Sequence, residues 1–505
     1  MKRCNNMYDM IYESYKKYKN NIIFTYLNTE ITYEMFINKI DECALSFKKI
    51  GVSKNEIVSL IINNSIESII SIYALNKIGA ISNLINPLTS NKEIEYILDK
   101  TNTKYIVISD IYLSKINDNY TIITLPDSER LNFKDRFKYI FKNNNTIKNV
   151  IPFYRFILKG KNKKYKIKSI YNEVSLIINN NSKSIILSNN NLNSYVINSK
   201  IDTKECNKIF TNYNITDSYG ISLIHKSLIN GYNLILSNNT NDILKYKPNI
   251  IECNPSLLNN LFLNRKLIKS NLSFIKYIIC GQDYLSDSLK DKINNFLNVN
   301  IITNYGLREC TANVIINHKP INSTNIKIFK EDTFDECLVN EVGEICVSGP
   351  TVMVGYLDEE NDCLKKYKGK IWLRSNDLGY IDELGNIYFK SSKKRVIISN
   401  GYNIYPRDIE NIILSHKYVK LCSIVGVPHP YKKEVVKAYI VLKDNLVLNS
   451  EIKKSIKEYV EENVPEYALP YAYGYRKELP KNINGKVAYQ ELINTKETLI
   501  IKSDS

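Results

Sequence analysis

Within six residues, Asn304-Tyr305-Gly306-Leu307-Arg308-Glu309 sets an amide, an aromatic ring, a guanidinium and a carboxylate beside a glycine. The amide of Asn304 both donates and accepts hydrogen bonds, and the Tyr305 ring offers a flat face for stacking. The Arg308 guanidinium forms paired hydrogen bonds with phosphate oxygens, and Glu309 carries the hard oxygens that Mg2+ takes alongside phosphates. Two of these groups also have a bland reading: Tyr305 as a core tyrosine and Glu309 as a solvated acid. The ten cysteines lie far apart without a CxxC pair, so neither a zinc site nor a disulfide framework is expected, and they read as reduced thiols. A formal charge of +17 attracts any anion, but lysine is scattered along the chain. No recognised module or aromatic-basic array accompanies the charge, so no nucleic-acid partner is expected.

The elements that must hold such groups are read from periodicity. At 505 residues the chain exceeds one hydrophobic core, so two or more domains are expected. An apolar run at Ile57 to Ile62 predicts a strand, followed by a helix through Leu75 that stops at Gly79. Runs at Ile81 to Ile85 and Tyr105 to Ile108 flank a helix beginning near Asn91, and such alternation indicates a parallel, helix-covered sheet. Residues 125–170, rich in Lys and Asn, read as an exposed basic connection before a strand at Val174 to Ile178. After Gly343 the texture becomes β-rich, with a turn at Asp382-Glu383-Leu384-Gly385. The last hundred or so residues read as α+β. Pro406 starts a helix with Ile409, Ile412 and Ile413 on one face, strands lie at Ser423 to Val425 and Val436 to Leu442, and Ser450 caps a helix bearing Ile452, Ile456 and Val460. The N-terminus has no continuous apolar core of a signal sequence and no window suggests a membrane span, so a cytoplasmic protein with at most peripheral membrane contact is expected.

Further segments follow the hexamer in order: Gly343-Glu344 through Gly355-Tyr356, Trp372-Leu373-Arg374-Ser375-Asn376-Asp377, Gly401-Tyr402-Asn403-Ile404-Tyr405-Pro406, and Leu479-Pro480-Lys481-Asn482-Ile483-Asn484-Gly485-Lys486. With Ile31-Thr32-Tyr33 and Ala74 to Pro87 upstream, the chain from Ile22 to Ile493 resembles the AMP-forming acid–CoA ligases of the adenylate-forming enzyme superfamily. The resemblance implies an α/β fold: a large N-terminal domain of helix-covered sheets with a β-rich subdomain, residues 1–393, and a small mobile α+β C-terminal domain, residues 394–505. It implies ATP-dependent conversion of a carboxylic acid, fatty in character, to an acyl-adenylate and then an acyl-CoA, with Mg2+ as cofactor and ATP and CoA as co-substrates. By the same resemblance Lys486 is the adenylation lysine, Glu309 the metal-contacting acid, and Tyr305 the ring on adenine with Asn304 at the base edge. Lys183, Gly281, Gly306 and Arg308 belong to the nucleotide site, and Asp377 accepts hydrogen bonds from the ribose hydroxyls. Lys394 aligns with the hinge about which the C-terminal domain turns, bringing Gly401 and Tyr402 toward the path of the CoA thiol.

Departures from the family pattern cluster in the same site. The phosphate loop, elsewhere rich in Thr, Ser and Gly, is here Asn179-Asn180-Asn181-Ser182-Lys183-Ser184, without a glycine and shorter. Ser391-Ser392 replaces a Gly-Arg pair, Asp217 replaces an aromatic or His near the acyl pocket, and Arg308 stands where Thr or Ser is usual. Arg308 then has two readings, a cation that replaces the lost arginine or a plug in the phosphate site. Two functional readings follow: an active ligase with a remodelled phosphate site, and a catalytically inactive relative that binds an acyl or nucleotide ligand as a partner or regulatory protein.

Overall fold

A computed structural model describes residues 5–130, 150–161, 167–180, 183–203, 206–237, 239–283, 285–357, 360–399, 402–429, 433–482 and 486–495. The chain forms two compact units. One comprises residues 1–284, 297–326 and 347–373, the other residues 285–296, 327–346 and 374–505.

The first unit contains two sheets. In the eight-stranded sheet the spatial order is Gly355–Tyr356, Lys183–Ser188, Val174–Asn180, Ile81–Ile85, Ile57–Ile61, Tyr105–Ser109, Thr121–Leu125, Val150–Pro152. Its centre is parallel, with Ile57 opposite Ile81 and Val58 opposite Tyr105. These strands are nearly continuous apolar runs, as a sheet covered on both faces requires. Ile61, Ile85, Ile106 and Ile108 form one core with Ile94, Ile97 and Leu98 of the helix Asn91–Lys100. The helix Ile66–Ile78 begins where the Ser65 hydroxyl accepts from the Ser68 N–H and ends at Gly79, whose φ of 76° most side chains avoid.

The nine-stranded sheet runs Lys319–Pro320, Asn313–Ile316, Asn300–Gly306, Tyr277–Cys280, Ile250–Cys253, Lys208–Thr211, Asn233–Leu236, Ile22–Tyr26, Thr29–Thr32. The strands from Asn300–Gly306 through Ile22–Tyr26 are parallel, and antiparallel hairpins close both edges.

One expectation for this region changes. The supposed basic connection contains the strand Val150–Pro152, paired in parallel with Thr121–Leu125, and the helix Phe153–Lys159. The Phe156 ring meets Phe47 edge-on at 4.8 Å between centroids, so two aromatics anchor a segment whose surroundings are polar. Residues 131–149 and 162–166 of that connection lie outside the described residues.

The second unit is built around the strands Lys433–Leu442 and Val419–His429, paired antiparallel, with Ile397–Ser399, Tyr402–Ile404 and the parallel Ala472–Arg476 completing the sheet. Alternation along the central strand sorts its side chains between two cores. Val436, Ala438 and Ile440 pack with Ile409 and Ile413 of Pro406–Ser415 and Ile452, Ile456 and Val460 of Ser450–Asn463. Val435, Tyr439 and Val441 face the other way, onto Leu479 and Leu492. The expected helix faces are therefore observed, but the cap is Asn449 rather than Ser450: the Asn449 side-chain oxygen Oδ1 accepts from the Ile452 N–H at 2.8 Å. The β-rich stretch comprises Gly343–Ser348, Leu364–Tyr367, Lys370–Ile381 and Ile387–Ser392. Its turn is held by the Asp382 carboxylate, which accepts from the N–H groups of Leu384 and Asn386 at 2.9 and 2.7 Å.

No disulfide joins the cysteines among the described residues. Among the same residues, no helix is long and apolar enough to cross a membrane.

Candidate active site

The hexamer occupies the end of the strand Asn300–Gly306 and the 3-10 turn Arg308–Cys310. A Cβ on Gly306 would lie 2.0 Å from the Ala312 carbonyl oxygen, so only glycine admits the reversal of the chain there. Thr311 closes the turn at φ 72°, a conformation that costs a β-branched residue about 1–3 kcal/mol. Its hydroxyl donates to the Thr351 carbonyl at 2.7 Å, and its carbonyl accepts from the Ser222 hydroxyl at 3.4 Å. This strained turn fixes Glu309, whose carbonyl also accepts from the Met353 N–H at 2.7 Å.

Glu309 points to Tyr356, whose hydroxyl donates to its Oε1 at 2.9 Å. Burial raises the Tyr356 pKa, and the adjacent Glu309 carboxylate raises it further, so the phenol stays a donor. The Lys183 ammonium lies 4.4 Å from the centre of the same ring. The Cys363 thiol belongs to this cluster too: burial raises its pKa, and a hydrogen bond with Tyr356 opposes that. Lys183 and Glu309, distant in sequence, thus meet at one tyrosine. Tyr356 and Cys363 were not singled out from the sequence. For Tyr356 the signal was its place in the ordered Gly355-Tyr356 segment, and for Cys363 there was none.

Lys183 reaches Tyr356 from a tight hairpin. Asn180 pairs directly with Lys183, so only Asn181 and Ser182, which lie outside the described residues, link the two strands. The hairpin base is interlocked: the Asn179 amide donates to Asn83 Oδ1 at 2.6 Å and to the Leu84 carbonyl at 2.9 Å, and the Ser184 hydroxyl donates to Asn179 Oδ1 at 2.8 Å. The side chains of Asn179 and Ser184 are therefore engaged by the protein itself.

Arg308 and Asp217, both unusual for the resembling family, are partners. Arg308 donates through Nε at 2.8 Å and Nη2 at 2.6 Å to Asp217 Oδ2, and the side chains are 23% and 15% exposed. Asp217 Oδ1 also accepts from the Tyr219 N–H at 3.2 Å, capping the helix Ser218–Asn230. The two side chains pair with each other, and neither of the two sequence readings of Arg308 included this pairing.

Gly281 adjoins Asn304: a Cβ on Gly281 would meet Asn304 Cβ and Asn313 Oδ1, each at 3.2 Å. The side-chain oxygens of Asn304 and Asn313 are buried without a hydrogen-bond partner, a demand for donors that an amino-bearing ring can meet. Tyr305 is half-buried on the same strand. The Glu309 carboxylate is a hard oxygen of the kind that Mg2+ takes. The described residues contain no group of three or more acidic, His or Cys side chains that would hold a metal unaided.

The remaining expected residues lie in the second unit. Asp377 pairs across its hairpin with Ser392 and donates its N–H to the Ser375 hydroxyl at 3.0 Å. Asn376, at φ 58°, donates its N–H to Glu344 Oε1 at 2.9 Å. Buried Glu344 also accepts from Arg374 Nε at 2.7 Å, with Lys393 at 3.5 Å, so an ion network shapes the turn that presents Asp377. Lys394 is exposed in the turn Lys393–Arg395, whose Arg395 grips Glu410 at 2.6 Å. Tyr402 is exposed and stacks on Tyr467 with centroids 4.7 Å apart. Gly401 lies outside the described residues. Lys486 is exposed. Its N–H donates to Asn482 Oδ1 at 3.0 Å, and its carbonyl accepts from the Asn482 N–H at 2.7 Å. The Leu479 and Leu492 anchors on either side fasten this segment to the sheet.

The AMP-binding enzyme family matches residues 11–149 and 181–357, and the AMP-binding enzyme C-terminal domain matches residues 408–486. The chain belongs to the AMP-binding enzyme family, and it has the fold of the adenylate-forming enzymes. That membership supports a general acid-activating reaction in which an acid and ATP give an acyl-adenylate. Among its relatives is a long-chain-fatty-acid–CoA ligase of Bacillus subtilis (strain 168), 25% identical, in a match covering 95% of this chain and 93% of that protein. Similar solved structures include an anthranilate CoA ligase in complex with anthranoyl-AMP, with a TM-score of 0.83, 19% identity and coverage of 97% and 96%. Another is the o-succinylbenzoate CoA synthetase of Bacillus subtilis in complex with ATP and magnesium ion, with a TM-score of 0.75, 20% identity and coverage of 96% and 98%.

Proposed function

We propose that the protein is an ATP-dependent acid–CoA ligase, giving acyl-CoA, AMP and pyrophosphate, and that its acid is fatty. The observation that carries this reading is the meeting of Lys183 and Glu309 at Tyr356, which keeps a cation and a carboxylate on one side chain despite the shortened hairpin. The names of its relatives support the thioester product and the acyl class.

In the first step a substrate carboxylate oxygen bonds to the α-phosphorus of ATP and pyrophosphate leaves. Like charges approach one another, so cations must be in place beforehand. Lys486, a compact point charge on an exposed turn, suits the carboxylate and α-phosphate oxygens. Asn304, Tyr305 and Gly281 hold the base, and Asp377 accepts from the ribose hydroxyls. Bound at Glu309 and the phosphates, Mg2+ would neutralise charge on the departing pyrophosphate. In the second step the CoA thiol, losing its proton, bonds to the acyl carbon and AMP leaves. We assign residues 1–393 and 394–505 as the functional domains, with Lys394 as hinge and Gly401 and Tyr402 serving the thiol path.

The test is AMP release by purified protein with Mg2+-ATP, CoA and a panel of acids from short to long chain. Release that requires acid and CoA and disappears in Lys486→Ala supports the ligase. The interlocked hairpin favours the opposing reading of an inactive ligand-binding relative, which predicts no AMP with any acid.

A further inference from the structure

The connection between the strand Lys433–Leu442 and the helix Ser450–Asn463 is exposed at every residue, 443–449. At its tip stand three consecutive aliphatic side chains, Leu446, Val447 and Leu448, of which Val447 is 83% exposed. The loop is fastened at both ends, by the Lys443 N–H donating to the Tyr418 carbonyl at 2.9 Å and by the Asn449 cap. Asn445, at φ 71°, turns the chain between Lys443 and the aliphatic residues. Cations surround the base. The Lys443 ammonium donates to the Lys417 carbonyl at 2.5 Å, and Lys420 pairs with Asp444 at 2.7 Å. Burial lowers the Lys292 pKa and the nearby Lys443 charge lowers it further, which puts those two ammonium groups in one positive field. Asp444 offsets one of these four lysines, while Glu451, Lys453 and Lys454 follow at the start of the helix.

Protein interfaces are poor in Lys and rich in aromatic residues. Aliphatic side chains ringed by Lys are instead the composition that enters the headgroup region of an anionic bilayer. We propose that this loop is a membrane-contact site, with Leu446, Val447 and Leu448 entering the interface of an anionic lipid surface and Lys292, Lys417 and Lys443 drawing the headgroup charge.

The experiment is co-sedimentation of the full chain with phosphatidylcholine vesicles, with and without a minority of phosphatidylglycerol. Binding is expected with the anionic vesicles only and should weaken in about 0.5 M salt, which screens the lysines. Val447→Ser combined with Leu448→Ser should weaken it on the order of tenfold. Val447 is 83% exposed and Leu448 38%, and circular dichroism checks that the double variant keeps its fold. Failure to bind anionic vesicles, equal binding to neutral ones, or undiminished binding by the double variant would overturn the assignment. The result does not depend on whether the protein is an active ligase.

Discussion

Asp217 does two things at once, and substitution separates them. Its Oδ1 caps the helix Ser218–Asn230, and its Oδ2 holds Arg308 through two nitrogens. Losing a cap costs about 1 kcal/mol. Removing the acid also strands the guanidinium, which costs about 3–5 kcal/mol in a fully buried pair. With side-chain exposures of 23% and 15%, solvent reduces that to about 2–3 kcal/mol. Asp217→Ala should therefore lose about 3–4 kcal/mol. Arg308→Thr leaves the cap in place and should lose about 1–2 kcal/mol. The double variant strands no charge, so its loss should fall short of the sum by about 2 kcal/mol. Urea unfolding followed by far-UV circular dichroism measures all four corners of the cycle. A coupling below about 0.5 kcal/mol would show that the pair is not formed, and the account of Arg308 would fail with it.

Three further predictions rest on other parts of the structure. Burial pushes the His225 imidazole down to about 3 from its usual 6.5. Between those values the unfolded chain binds a proton that the folded chain refuses, so this contribution is full above 6.5 and falls as pH drops, by up to about 1.4 kcal/mol per pH unit. Stability measured near pH 7 and pH 5 should show that slope in the natural chain and less of it in His225→Gln, and equal slopes would refute the assignment. Gly306→Ala forces a methyl group against the Ala312 carbonyl, so thermal unfolding should report a loss of about 3 kcal/mol. Lys486→Ala alters an exposed side chain, so stability should change by less than about 0.5 kcal/mol while the adenylation rate falls by at least about a hundredfold, to the loss of detectable product. A large loss of stability with unchanged rate would reverse its role.

Strong periodicity made the parallel sheet legible: Ile57–Ile61, Ile81–Ile85 and Tyr105–Ser109 stand close to where their apolar runs predict. The strand Val150–Pro152 and helix Phe153–Lys159 escaped because each is short and set among Lys and Asn, although Val150, Ile151, Phe153, Phe156, Ile157 and Leu158 are apolar. Asn449 was passed over for Ser450 because either side chain caps a helix and only backbone geometry decides between them. The ordered segments supplied the residues of the candidate site, but not the contacts among them. Asp217 and Arg308 are 91 positions apart, and each looked like an isolated loss. Tyr356 looked like part of a signature segment and is the meeting point of Lys183 and Glu309.

The most direct test of the central claim is acid-dependent exchange of labelled pyrophosphate into ATP without CoA, which isolates acyl-adenylate formation from every later step. The account predicts exchange that requires Mg2+ and an acid and is lost in Lys486→Ala. Absence of exchange with every acid at about millimolar ATP, a concentration at the top of the usual KM range, would contradict it and leave a ligand-binding relative in its place.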